Sequence, residues 1–184
     1  MLKTINFCGD SYCGNDYDKS SWLLQLAGLL KCKIIGAGKN GSSYEHAIKT
    51  FNPDAGITIF CWTEPHRIYH PTVSLNLSSV EEYRHTSKIH AAAHQYYKYL
   101  HSFTLDRDRH ERDLYWFDEK ILKKYKGKII HLFSFENAVY SFKHGIIVKK
   151  PLELAREGPS SIYPNHLTKE NNIKLAQSLY KLLT

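Results

Sequence analysis

The chain has 184 residues, and its 25 lysines and arginines outnumber 18 aspartates and glutamates, which gives a formal net charge of +7. Hydrophobic residues make up 42% and charged residues 23%; this usage is ordinary for globular proteins and excludes disordered, collagen-like and coiled-coil chains. One domain spanning 1–184 buries roughly 70% of its unfolded surface and needs no disulfide or metal to hold its core.

Short apolar runs alternate with helical patterns along the chain. Each run is typical of a strand buried on both faces, as a parallel sheet requires. The predicted strands are 5–8, 33–35, 56–61, 128–133 and 145–148. The predicted helices begin after Ser20 and Ser21 and then cover about 42–51, 79–100, 109–125 and 168–183. This alternation predicts an α/β protein: a three-layer α/β/α sandwich with a flavodoxin-like parallel sheet of about five strands.

The segment 74–125 separates two consecutive strands by more residues than one crossover helix needs. It contains two helical patterns joined by the charged stretch 106–113. We therefore expect an inserted helical segment within a single domain.

The chain shows no signal-peptide pattern and no apolar run long enough to span a bilayer. Its four cysteines, Cys8, Cys13, Cys32 and Cys61, form no C-x-x-C pair, and three of them lie in or beside strand-like runs. We expect reduced thiols in a cytoplasmic protein that has no membrane partner.

The first predicted strand ends in Gly9-Asp10-Ser11, which places a serine hydroxyl in the first turn between strand and helix. Gly9 permits a tight backbone there, and the Asp10 carboxylate can accept hydrogen bonds from turn amides. The G-x-S-x-G elbow of α/β-hydrolases does not fit, because the next glycine after Ser11 is Gly14. Since ligands of open parallel sheets bind outside the carboxyl ends of the strands, this turn is a candidate site.

The second predicted strand runs into a turn that matches G-x-G-x-x-G at residues 36–41, and this spacing raises a dinucleotide-binding alternative. The dinucleotide motif normally opens the first strand–helix unit and needs an acidic residue about 20 positions later. Here a whole unit precedes the glycines, and Asp54 comes too early. We therefore predict no cofactor, and expect the backbone N–H of Gly41 to face a developing negative charge.

Two more polar clusters belong to the same predicted edge of the sheet. Thr63 and Glu64 follow the third predicted strand, within the stretch 61–67. His166 stands just before the last predicted helix, within the stretch 163–168. A single histidine among 11 indicates little, but loops that emerge at one edge of a sheet can assemble a site together.

Taken in order, these stretches resemble the SGNH (GDSL-type) hydrolases over nearly the whole chain. The blocks that carry the resemblance are 9–11, 36–41, 61–64 and 165–172. The resemblance implies that Ser11 is the nucleophile and His166 the general base. It also implies an oxyanion hole formed by the N–H groups of Ser11 and Gly41 together with the Thr63 hydroxyl.

Two positions depart from the pattern of this family. The family has asparagine where this chain has Thr63, and a threonine hydroxyl reaches less far. The family also has aspartate three residues before the histidine, where this chain has Tyr163. Because spoiling that carboxylate costs on the order of 10⁴ in rate in a serine protease triad, the chain would use a Ser–His dyad or an atypical triad. Asp10, Glu64, Tyr163 and Asn165 are the expected neighbours of the substrate.

The resemblance therefore implies a serine esterase or acyl hydrolase, with O-acetyl esters among the candidate substrates. Ser11 would attack an ester carbonyl, and His166 would take its proton. The expected partner is a small-molecule or carbohydrate ester, and neither a metal nor a cofactor is expected. The sequence leaves open which ester is used, the oligomeric state and the role of segment 74–125.

Other features indicate alternative functions. His90 and His94 stand four residues apart on one helical face, as two zinc ligands do, but no third ligand is evident. A looser group of the same kind is Glu64, His66 and His70. Residues 96–101 mix tyrosines with basic side chains, and arginines flank them, as in a nucleic-acid groove. The alternative function is a catalytically impaired scaffold that binds nucleic acid or another polyanion.

Overall fold

The computed structural model describes residues 3–14, 21–138, 140–148 and 167–184. Five parallel strands form one sheet in the order β2-β1-β3-β4-β5. The strands are β1 (Thr4–Gly9), β2 (Lys33–Gly36), β3 (Ile57–Trp62), β4 (Lys128–Phe133) and β5 (Ile146–Val148). This strand order is that of flavodoxin-like folds, so the predicted sheet is confirmed.

Six α-helices lie within the described ranges. They are α1 (Trp22–Leu30), α2 (Tyr44–Lys49), α3 (Leu77–Tyr83), α4 (Lys88–Tyr99), α5 (Phe103–Lys120) and α6 (Lys169–Leu183). Short 3₁₀ helices cover Ser11–Cys13, Leu122–Lys124 and Glu136–Ala138. None of the helices in this part of the chain is long and apolar enough to cross a membrane.

The continuous helix predicted over 79–100 is wrong, because polar caps divide this stretch into α3 and α4. The Asn76 side chain accepts a hydrogen bond from the backbone N–H of Ser79 and starts α3 before residue 79. The Ser87 side chain caps α4 in the same way. Ser102 caps α5, which therefore begins at Phe103 instead of residue 109.

Apolar side chains cover both faces of the sheet. On one face α1 and α6 pack against the strands, through residues that include Phe7, Ile59, Leu26 and Leu179. On the other face α2 and the second half of α5 pack, through residues that include Phe60, Trp62, Ala47, Leu114 and Phe117. The three predicted layers are thus present. Because α5 covers the sheet between β3 and β4, it serves as their crossover helix, and α3 and α4 form a separate small cluster around Leu75, Val80 and Ala93.

Candidate active site

A cavity of about 620 Å³ lies among the loops that follow the strands. Ser11 follows β1, Gly41 belongs to the turn after β2, and Glu64 follows β3; all three line this cavity. The other lining residues are His66, Arg67, Asn76, Leu77, Ser78, Phe103 and Phe135. The structure thus brings together three of the residues predicted from the sequence, at the edge of the sheet where parallel folds bind ligands.

The turn that carries Ser11 has a tightly fixed backbone. Gly9 has a φ of 152°, and a Cβ at this position would lie 2.3 Å from the carbonyl oxygen of Cys61, so a larger residue cannot fit. Asp10 caps the 3₁₀ turn, because its Oδ1 accepts a hydrogen bond from the Tyr12 N–H at 3.0 Å. The half-buried Ser11 side chain is therefore presented at the cavity wall by a rigid turn.

A row of buried polar side chains supports this turn. The first residue after β1 is Asp10, the first after β3 is Thr63 and the first after β4 is Ser134. All three are inaccessible to solvent. The Ser134 hydroxyl donates to Asp10 Oδ1 at 3.0 Å. Burial raises the pKa of Asp10, while the Arg67 guanidinium, the Tyr12 N–H and the hydroxyls of Ser134 and Thr63 partly oppose this rise.

Two residues of this row, Asp10 and Thr63, do not occupy the positions that were predicted for them. Asp10 was expected beside the substrate, but its carboxylate holds the Ser11 turn and does not line the cavity. Thr63 was expected as an oxyanion donor, but its side chain is fully buried and does not line the cavity. Both residues lie in the layer that supports the cavity.

The turn after β2 is tied directly to the turn after β1. The Lys39 N–H donates to the carbonyl oxygen of Gly9 at 2.9 Å, and the Ser42 hydroxyl donates to the same oxygen at 3.0 Å. Gly41 has a φ of 66°, in the left-handed region that favours glycine. Among the described residues, the backbone N–H groups of Ser11 and Gly41 have no hydrogen-bond acceptor, so both can donate to a ligand.

An ion pair between Glu64 and Arg67 forms part of the cavity wall. Arg67 donates to Glu64 Oε2 from Nε at 3.1 Å and from Nη2 at 3.0 Å, and its guanidinium lies 4.8 Å from the centre of the Phe135 ring. A third contact joins Nη1 to the carbonyl oxygen of Ser42 at 3.5 Å. Glu64 was predicted as a site residue from the sequence, whereas Arg67 and Phe135 were not, although Arg67 stands in the same polar stretch after β3.

His66 also lines this cavity, although the sequence did not predict it as a residue of the active site. It is almost fully buried, with its Nε2 3.8 Å from Glu64 Oε2 and its ring packed edge-on against His101 and Phe103. His101 in turn pairs with Asp106, with 2.9 Å between His101 Nε2 and Asp106 Oδ2. Burial is the main cause that lowers the pKa of His66, which keeps this imidazole neutral at pH 7.

The histidines considered as metal ligands each contact a different group instead of facing a common point. His90 Nδ1 contacts the Ser87 hydroxyl at 2.8 Å, whereas His94 Nε2 contacts Arg84 Nη1 at 3.0 Å. His70 Nδ1 accepts from backbone N–H groups of its own loop. Within the described ranges, no group of three or more His, Cys, Asp or Glu side chains could hold a metal ion.

Three arginines of the proposed nucleic-acid surface are paired with carboxylates. Arg84 pairs with Glu81, Arg109 with Asp106, and Arg112 with Asp113. Such pairing reduces the positive potential that a phosphate backbone would meet.

Three residues predicted for the site from the end of the chain lie outside the described residues: Tyr163, Asn165 and His166. The structure describes the chain again from Leu167. Thr168 caps α6, with its hydroxyl accepting a hydrogen bond from the backbone N–H of the first helical turn.

The first turn of α6 is nevertheless connected to the Ser11 turn through Trp22. The side-chain oxygen of Asn172 accepts from the Trp22 N–H at 2.9 Å. The Trp22 indole N–H donates to the carbonyl oxygen of Tyr12 at 2.7 Å, one residue after Ser11. Two hydrogen bonds and one buried indole thus fix the start of α6 relative to the serine turn.

No protein-family model matches this chain, and a search of curated proteins finds no match. The chemistry of the cavity is therefore inferred from its geometry and from the sequence motifs.

Proposed function

We propose that this protein is an SGNH-type serine acyl hydrolase that acts on a small-molecule or carbohydrate ester. The observation that carries the proposal is that Ser11, Gly41 and Glu64, from the loops after three strands, line one cavity. A serine hydroxyl near two backbone N–H groups without acceptors in the described ranges suits nucleophilic attack on a carbonyl.

In the proposed reaction, Ser11 Oγ forms a bond to the carbonyl carbon, its proton passes to His166, and the carbonyl π electrons move onto oxygen. The N–H groups of Ser11 and Gly41 stabilise this oxyanion. When the carbonyl re-forms, the bond to the alcohol oxygen breaks, and His166 gives its proton to the departing alcohol. Water then attacks the acyl-serine with His166 again as base, and collapse releases the carboxylic acid and the free serine.

The choice of His166 as base is supported by the hydrogen bonds around Trp22. They fix the first turn of α6 relative to the Ser11 turn. His166 stands two residues before the Thr168 cap of this helix in the sequence, and on this ground we propose it as the base.

A Ser–His dyad fits the contacts of the two nearby carboxylates. Asp10 accepts hydrogen bonds from the Tyr12 N–H and the Ser134 hydroxyl, and Glu64 is paired with Arg67. Each carboxylate is therefore already engaged in holding the site together. We propose that His166 works without a carboxylate partner from these two loops.

The walls of the cavity support a carbohydrate ester as the substrate. Glu64, Arg67 and Asn76 provide polar groups, whereas Phe103 and Phe135 provide flat apolar surfaces. Sugars offer hydroxyl groups to the former and ring faces to the latter, and the volume of about 620 Å³ is usual for small-molecule sites. An O-acetylated sugar is the substrate that this combination suits best.

A cytoplasmic location is part of the same proposal. All four cysteines are unpaired, and Cys8, Cys13 and Cys61 are buried. Unpaired thiols persist in reducing compartments. The half-buried Cys32 would be open to oxidation elsewhere.

The proposal is tested by comparing Ser11→Ala with Ser78→Ala, which changes another serine of the same cavity. Wild type and Ser78→Ala should hydrolyse an aryl acetate and an acetylated sugar and should be labelled by a fluorophosphonate probe. Ser11→Ala should lose both properties, and mass spectrometry should locate the label on Ser11. A wild-type protein that neither reacts with the probe nor exceeds Ser11→Ala in hydrolysis would refute the proposal.

A further inference from the structure

The proposed reaction creates negative charge on the carbonyl oxygen, and Ser11 and Gly41 offer two backbone donors for it. A side-chain donor would add to this stabilisation. Thr63, the donor expected from the sequence, is fully buried and does not line the cavity. A side-chain donor would therefore come from another residue, one that stands at the cavity wall.

Asn76 stands at that wall, next to Gly41. A Cβ built on Gly41 would lie 2.9 Å from Asn76 Nδ2, so the amide nitrogen touches the glycine whose N–H is a proposed oxyanion donor. Both residues line the cavity together with Ser11. Among the described residues, no hydrogen-bond acceptor is found for this Nδ2.

The orientation of the Asn76 amide is fixed by its role as helix cap. Its Oδ1 accepts from the Ser79 N–H at 3.0 Å, so the opposite side of the amide, which carries Nδ2, faces Gly41. The Asn76 N–H donates to the Ser79 hydroxyl at 3.1 Å, and that hydroxyl contacts the carbonyl oxygen of Ser74 at 2.7 Å. The donor is therefore held in place before any ligand arrives, as electrostatic stabilisation requires.

We propose that Asn76 Nδ2 is the side-chain donor of the oxyanion hole, in place of Thr63; this inference rests on the proposed acyl-hydrolase function. Asn76 lies on the loop that leads into α3, 13 residues after Thr63. The position therefore differs from the one that the resemblance implied. Asn76 caps α3 with one side of its amide and contacts the substrate oxygen with the other.

The test is the isosteric variant Asn76→Asp, which keeps an oxygen acceptor for the Ser79 N–H and replaces the amide donor by an oxygen. We expect kcat for an aryl acetate to fall by roughly 10²–10³, while KM and the melting temperature change little. Affinity for phenylboronic acid, which forms a tetrahedral anion on a reactive serine, should fall in parallel. Asn76→Ser, which retains a capping hydroxyl, should show the same loss of kcat. Asn52→Asp, the same exchange at a loop position outside the cavity, should retain wild-type kcat.

The outcomes separate this inference from the function on which it rests. If wild type is labelled at Ser11 and Asn76→Asp keeps wild-type kcat and boronate affinity, only the role of Asn76 is overturned. A loss confined to KM, or one that Asn52→Asp shares, also overturns it. If wild type shows no Ser11-dependent hydrolysis or labelling, the proposed function fails and the role of Asn76 fails with it.

Discussion

Replacing Asp10 by asparagine should stabilise the protein at neutral pH. The carboxyl is completely buried, and desolvation is the largest cause acting on its pKa, which lies above the ordinary value of 3.8. The substituted amide would keep a side-chain oxygen for the Tyr12 N–H and the Ser134 hydroxyl. The substitution therefore removes a buried charge while preserving the two hydrogen bonds to Oδ1.

The size of the effect follows from proton linkage. The folded protein binds the Asp10 proton more tightly than the unfolded chain does, so the free energy of unfolding decreases as pH rises from 3.8 through the raised pKa. At pH values above the raised pKa, each pH unit of the rise lowers the free energy of unfolding of wild type by about 1.4 kcal/mol. The advantage of Asp10→Asn should thus be greatest at pH 7 and shrink toward pH 3.8. Loss of the attraction to Arg67 reduces the gain but leaves its sign unchanged, because burial is the larger cause.

Urea denaturation of both proteins from pH 4 to pH 8 measures this difference directly. The difference in the free energy of unfolding isolates Asp10, since every other titrating group is common to the two proteins. An asparagine variant less stable than wild type at pH 7, or a difference independent of pH, would show that the carboxylate is stabilised as an anion.

Three further substitutions concern stability. Gly9→Ala should destabilise the protein by about 3 kcal/mol or more. Its Cβ would lie 2.3 Å from the Cys61 carbonyl oxygen, and the backbone φ at this position is 152°. Gly28→Ala should instead stabilise α1 by about 0.5–1 kcal/mol, because its Cβ meets no atom within 4 Å. Urea midpoints decide both, and equal shifts would contradict the steric argument. Burial lowers the pKa of His110 from 6.5 to about 4, so its protonation opposes folding as pH falls through this range. His110→Phe should remove up to about 3 kcal/mol of the loss of stability between pH 6.5 and 4, and unchanged acid sensitivity would argue against this role.

The strands were predictable because short, nearly continuous apolar runs indicate strands that are buried on both faces. A strand covered on both faces must be apolar at every position, and β3 (Ile57–Trp62) and β4 (Lys128–Phe133) are nearly continuous apolar runs. The boundaries of the helices were harder to predict. The break between α3 and α4 depends on the Ser87 cap and on Asn76 pairing with Ser79, a capping box without the usual glutamate.

The site residues that could be predicted are those whose positions are fixed by the ends of the strands. Ser11, Gly41 and Glu64 follow adjacent strands directly or after a short turn, so the topology of the sheet brings them together. Arg67 and Asn76 belong to a longer loop whose path depends on tertiary contacts, such as the stacking of Arg67 on Phe135. No local pattern in the sequence encodes those contacts.

The row formed by Asp10, Thr63 and Ser134 shows how the sheet itself prepares the site. The register pairs Gly9 with Cys61 and Trp62 with Phe133, so the three central strands end at nearly the same level. The first residue after each strand is therefore a neighbour of the other two, although Ser134 is 124 positions from Asp10 in sequence. Apolar side chains fill the layer within the strands, and the polar row satisfies part of its own hydrogen bonding where water is absent. The rigidity of the serine turn is thus a property of three strands. β4 contributes Ser134 to the polar row, and the same loop after β4 contributes Phe135 to the cavity wall.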